Sequence, residues 1–92
     1  MLEVARNRPY SLGMTPAMEE AVDTLVETAT ETSDLVERYQ GIKELEEVLD
    51  VRLREAKAEI AKTLYEGRSW RQVGDLLGVT GSRAEQISRG AR

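Results

Sequence analysis

Apolar residues recur at steps of three and four over most of this chain, and that spacing restricts what it can fold into. They stand at Met18, Val22, Leu25, Ala29, Val36 and Tyr39, with Thr32 filling one step. They recur at Ile42, Leu45, Leu49, Leu53, Ala56, Ile60 and Leu64. Such steps follow one face of an α-helix. Strand-like alternation runs nowhere long enough to matter. The expected class is all-α: a long amphipathic helix or a helical hairpin, followed by a C-terminal trihelical unit.

Breakers and caps divide the pattern. Pro9, Gly13 and Pro16 bound a non-helical arm over residues 1–14. Thr15 and Pro16 form an N-cap and first-position pair, and Glu19 and Glu20 follow in the first turn, where the helix dipole favours anions. The β-branched and polar run 28–33 is the weakest helical link, with Gly41 a second. The pattern fits one long bent helix, or two helices jointed near residues 30–34. This acidic region, 15–54, carries a stripe too long for a short C-terminal end to cover. It requires its own other half folded back, or the same helix from a second copy. The spacing leaves both open.

Charge follows the same divisions. The formal net charge is −4 over 92 residues, but it is unevenly spread. Residues 15–50 hold eleven acidic side chains against Arg38 and Lys43, a net of −9, while 67–92 hold five arginines against Asp75 and Glu85, a net of +3. The arm has a net of +1, as do residues 51–66. The overall negative sum is therefore no argument against a nucleic-acid partner.

Composition removes several function classes. There is no His and no Cys, so an ordinary zinc site, a disulfide framework and the usual general base near neutral pH are all missing. No phosphate-cradling glycine loop is present. No uninterrupted apolar run is long enough to span a membrane, and residues 1–11 lack the apolar run of a secretory signal. The expectation is a non-enzymatic cytoplasmic protein, nucleoid-associated, with no cofactor and no metal.

The segment 69–87, SWRQVGDLLGVTGSRAEQI, meets the demands of a helix-turn-helix one by one. Its turn needs a residue tolerant of positive φ, and Gly78 supplies it. The first helix buries Val73 and Leu77, and the small Gly74 lets the second helix approach. Val79 anchors the turn from inside, and Ala84 and Ile87 form the buried stripe of the second helix. Ser69 and Gln72 form a capping box, and Thr80 caps the second helix. Residues 55–66 supply the third helix of the core through Ile60, Leu64 and Tyr65, so this unit spans 55–92. Trp70 packs against Tyr65 or Leu64.

The V-G pair (Val73, Gly74), the G-V-T turn (Gly78, Val79, Thr80) and the R-x-x-Q-I run (Arg83, Gln86, Ile87) resemble the helix-turn-helix of region 4 of bacterial primary sigma factors. The segment is similar also to small helix-turn-helix proteins of actinobacteria and their phages. The resemblance covers about the last third of the chain. It implies a helix, 81–90, inserted in the major groove of DNA. The family's promoter-reading positions fall on Gly81, Ser82 and Gln86. The family's usual Arg and Glu at the first two are Gly and Ser here, and only Gln86 keeps the family's residue type. The resemblance thus implies a shared scaffold that reads a different DNA sequence.

Candidate base-contacting residues are Thr80, Gly81, Ser82, Arg83, Glu85 and Gln86. Arg can pair with guanine and Gln with adenine through two hydrogen bonds each, and Glu can accept from cytosine or orient Arg89. Arg68, Ser69, Arg71, Arg89 and Arg92 are candidates for phosphate contact. Arg6 and Arg8, beside Pro9 and Tyr10, are candidates for a minor-groove arm. The expected function is a small dimeric transcriptional regulator that binds double-stranded DNA sequence-specifically, paired through its long helix. The alternative is a protein-interaction module, antitoxin-like or polymerase-associated, whose acidic helix (Glu44, Glu46, Glu47, Asp50) holds a basic partner.

Overall fold

The structure is a computed structural model, and it describes residues 13–92. Arg6, Arg8, Pro9 and Tyr10 of the expected arm lie outside the described residues. Four helices follow in order: α1 (Pro16–Ala29), α2 (Leu35–Tyr65), α3 (Trp70–Leu77) and α4 (Gly81–Ser88). Among the described residues there is no strand. The fold is all-α, as the periodicity requires.

The chain divides into two units, 1–43 and Glu44–Arg92. In the first, Thr15 caps α1 by accepting the Met18 backbone N–H at Oγ1, 3.1 Å away, with Pro16 in the first turn. The helix stops where β-branched and polar residues gather. The Thr30 hydroxyl turns back to donate to the Val26 carbonyl at 2.9 Å, competing with helix propagation. The chain restarts at Asp34, whose carboxylate accepts the Glu37 N–H at 2.9 Å. The joint therefore falls where the sequence is weakest, and the region is two helices. Gly41, the other weak point, sits inside an unbroken α2. No residue of α1 is buried, and Met18, Val22 and Val26 are all exposed.

The second unit holds the core. Its fully buried side chains are small: Ala61, Val73 and Ala84 have no exposed surface, and Ala58 and Ser88 are nearly as enclosed. This corrects the expectation that α2 joins the trihelical core through Ile60, Leu64 and Tyr65. Ile60 is 53% exposed and Tyr65 is 42% exposed, while Leu64 is half-buried. The covered face of α2 runs instead through Arg54, Ala58, Ala61 and Leu64. Alanines let helix backbones draw together, whereas a large residue at Ala58 or Ala61 would hold them apart.

Past the end of α2, Gly67 takes a positive φ of 75°. The turn is held by the Arg68 N–H donating to the Tyr65 carbonyl and by the Arg68 guanidinium donating to the Leu64 carbonyl, both at 2.9 Å. Across it Tyr65 and Trp70 stack face to face, with ring centroids 3.9 Å apart and planes 8° from parallel. Trp70 is thus a packing residue between α2 and α3, as the sequence suggested.

Candidate nucleic-acid interface

The α3–turn–α4 segment is built from local hydrogen bonds that its sequence specifies. Ser69 and Gln72 satisfy each other's backbone: Oγ accepts the Gln72 N–H at 3.2 Å, and Oε1 accepts the Ser69 N–H at 2.9 Å. At the far end of α3, Gly78 adopts the left-handed conformation with φ 76° and donates to the Gly74 carbonyl. Val79 N–H donates to the same carbonyl at 2.9 Å. Thr80 then caps α4, its hydroxyl accepting the Arg83 N–H at 3.0 Å.

Two glycines set how closely the helices meet. A β-carbon at Gly74 would fall 2.8 Å from both the carbonyl carbon and oxygen of Thr80, and closer still to Val79. At Gly81 a β-carbon would lie 3.1 Å from the Arg71 backbone nitrogen and α-carbon, and 3.3 Å from the Trp70 carbonyl carbon. Gly81, expected on the outward face of α4, is half-buried and turned toward the start of α3.

The rest of α4 divides cleanly. Ala84 and Ser88 are buried and Ile87 is half-buried, while Ser82, Glu85, Gln86 and Arg89 are exposed. Arg83 is partly covered. Its Nη1 donates to Gln86 Oε1 at 3.3 Å and to the Arg92 carbonyl oxygen at 2.7 Å. The two side chains expected to read bases thus share one hydrogen-bonded pair on the outer surface. Glu85 pairs with Arg89 at 3.7 Å, one helical turn on.

The expected phosphate contacts fare differently. Arg71 and Arg89 are exposed beside α4 and on it. Ser69 is exposed but already engaged as the α3 cap, and Arg68 is committed to the Leu64 carbonyl. Arg92 reaches Asp50 on α2, with 3.2 Å between Nη2 and Oδ2.

One arrangement had no signal in the sequence. Arg54 of α2 pairs with Asp50 at 3.1 Å and donates to the Gly90 carbonyl at 2.7 Å, fastening the chain after α4 onto the long helix. The partners lie 36 residues apart, and nothing local couples them. Among the described residues no cluster of side chains could hold a metal ion, and no helix is long and apolar enough to cross a membrane. Comparisons with protein families, curated proteins and solved structures find no match for this chain.

Proposed function

We propose that the chain is a sequence-specific double-stranded DNA-binding protein, a small transcriptional regulator that places α4 in the major groove. The observation carrying this reading is the close α3–α4 packing at Gly74 beneath an outward polar face of Ser82, Arg83, Glu85, Gln86 and Arg89. A tight helix pair with hydrogen-bonding side chains on one exposed helix is the geometry that major-groove readout uses. The resemblance of 69–87 to sigma region 4 points the same way. The exposed arginines Arg71 and Arg89 supply phosphate contacts, and they are few. A single copy therefore binds weakly at physiological salt, and the protein acts as a cytoplasmic homodimer on two half-sites. It works without cofactor or catalysis.

The test is selection of bound duplexes from a randomised pool, followed by titration of the selected site against scrambled DNA at two salt concentrations. Preference for a recovered, two-fold symmetric motif supports the reading. Equal affinity for every duplex rejects it.

A second reading has its own support. The exposed row Met18, Val22 and Val26 of α1 lies among acidic residues and has no buried member. It suits a basic, apolar-faced protein partner. Stoichiometric, salt-sensitive capture of such a protein, abolished by Val22→Asp, distinguishes this role from DNA binding.

A further inference from the structure

Within the Glu44–Arg92 unit, α2 presents two faces. One, through Ala58 and Ala61, is covered. The other carries Leu45, Leu49, Leu53, Ala56 and Ile60, with Leu53 and Ile60 both more than half exposed. Ala58 and Leu53 project about 140° apart at 3.6 residues per turn, so the second stripe is separate from the core. We propose that this stripe is the interface between two copies of the chain, and that the two α2 helices run antiparallel about an axis near Leu53. The inference rests on the reading of the protein as a homodimer and adds its geometry.

Three observations fix the occupant and the direction. The first is spacing. Leu45 and Ile60, and likewise Leu49 and Ala56, are placed symmetrically about the Arg52–Leu53 peptide. An antiparallel copy therefore sets Leu45 against Ile60 and Leu49 against Ala56, with the two Leu53 side chains meeting near the axis.

The second is charge. Residues 44–50 hold four acidic side chains and no basic one, while 51–65 hold four basic against two acidic. Antiparallel pairing lays the acidic end of each helix along the basic end of the other, and brings Glu46 of one copy near Lys57 of the second. Parallel pairing would set the acidic segments side by side, and like charges facing each other destabilise an interface.

The third is a groove. Lys57 and Ile60 border an apolar depression of about 170 Å³ whose far wall is Leu77, Val79 and Ile87 of the helix-turn-helix. Antiparallel pairing delivers Leu45 of the second copy to the Ile60 edge of this groove. The stripe and the groove are then covered together, and the two helix-turn-helix units are related by a two-fold axis, as a palindromic DNA site requires.

The chain has no Cys, so introduced thiols report orientation without background. Sedimentation velocity of the full chain without DNA first gives the oligomeric state. Oxidation of Leu53→Cys, Leu45→Cys, Ile60→Cys and the Leu45→Cys/Ile60→Cys double variant then gives the register. A dimer in which Leu53→Cys and the double variant form covalent dimers, while the single variants at 45 and 60 do not, is the expected result. A monomer removes the dimer reading and this geometry with it. A dimer that cross-links through Leu45→Cys alone overturns only the antiparallel arrangement. A dimer that cross-links through none of these positions places the interface elsewhere and overturns the proposal.

Discussion

A β-carbon placed on Gly74 would lie 2.6 Å from the carbonyl oxygen of Val79. That oxygen belongs to the backbone of the turn, so it cannot swing aside as a flexible side chain would. Gly74→Ala therefore forces α3 and α4 apart and costs about 3 kcal/mol, at the upper end for overpacking. Urea denaturation followed through Trp70 fluorescence measures it. Gly41→Ala, where a β-carbon meets nothing within 4 Å, should be neutral or stabilising by up to about 1 kcal/mol. Equal effects at the two glycines would show that the close approach at Gly74 does not hold the helices together.

The face-to-face contact of Tyr65 with Trp70 bridges the Gly67 turn and links the long helix to α3. Tyr65→Ala should lower stability by about 1 kcal/mol, the scale of an aromatic pair. Tyr65→Phe keeps the ring and should stay within about 0.5 kcal/mol of the parent. Because Trp70 is the sole tryptophan, loss of the stacked ring should also change its emission in the native state. Unaltered emission in Tyr65→Ala would argue against the stack.

The helix-turn-helix was legible in the sequence because its determinants are local. Ser69 with Gln72, Gly78 and Thr80 act on backbone groups three or four positions away, and Gly74 meets Val79 just five positions on. The buried face of α2 was not legible, because the larger apolar residues Ile60 and Tyr65 outrank alanine in any hydrophobic pattern. How closely two helices approach decides whether a large or a small residue is buried, and that distance is not written in one helix. Ile60 belongs to a stripe that the second unit leaves exposed, while Ala58 and Ala61 are covered. Gly81 was misplaced for a similar reason: its inward orientation follows from the angle at which α4 meets Arg71. The Arg54–Gly90 link depends on tertiary placement alone.

Arg54 makes the polar tie between α2 and the residues after α4, with its side chain only 22% exposed. Arg54→Ala leaves the Gly90 carbonyl without that donor and the Asp50 carboxylate with the exposed Arg92 alone. A loss of about 2 kcal/mol is expected, as for a hydrogen bond to a charged group. Arg92→Ala, with its side chain 75% exposed, should cost no more than about 1 kcal/mol. Arg54→Lys should recover only part of the loss, since an ammonium lacks the fork that serves Asp50 and Gly90 together. The measurement is chemical denaturation at low and high salt. An Arg92→Ala loss larger than that of Arg54→Ala would invert the assignment.

Arg83 and Gln86 are hydrogen-bonded to each other on the outer surface of α4, so DNA binding must trade this pair for contacts with bases. Arg83 also holds the carbonyl of Arg92, which positions its guanidinium without enclosing it. Arg83→Ala and Gln86→Ala should each weaken binding to a selected duplex by about tenfold to a hundredfold, corresponding to one lost bidentate base contact of about 1–3 kcal/mol. Affinity for scrambled DNA should change much less with Gln86→Ala, since an amide contributes little to phosphate attraction. Arg71→Ala behaves differently. It should weaken both duplexes alike and reduce the slope of log affinity against log salt by about one. Anisotropy titrations over a range of salt separate the two kinds of residue. If Gln86→Ala and Arg71→Ala shifted both duplexes equally, α4 would be an electrostatic contact surface and not a reader of sequence.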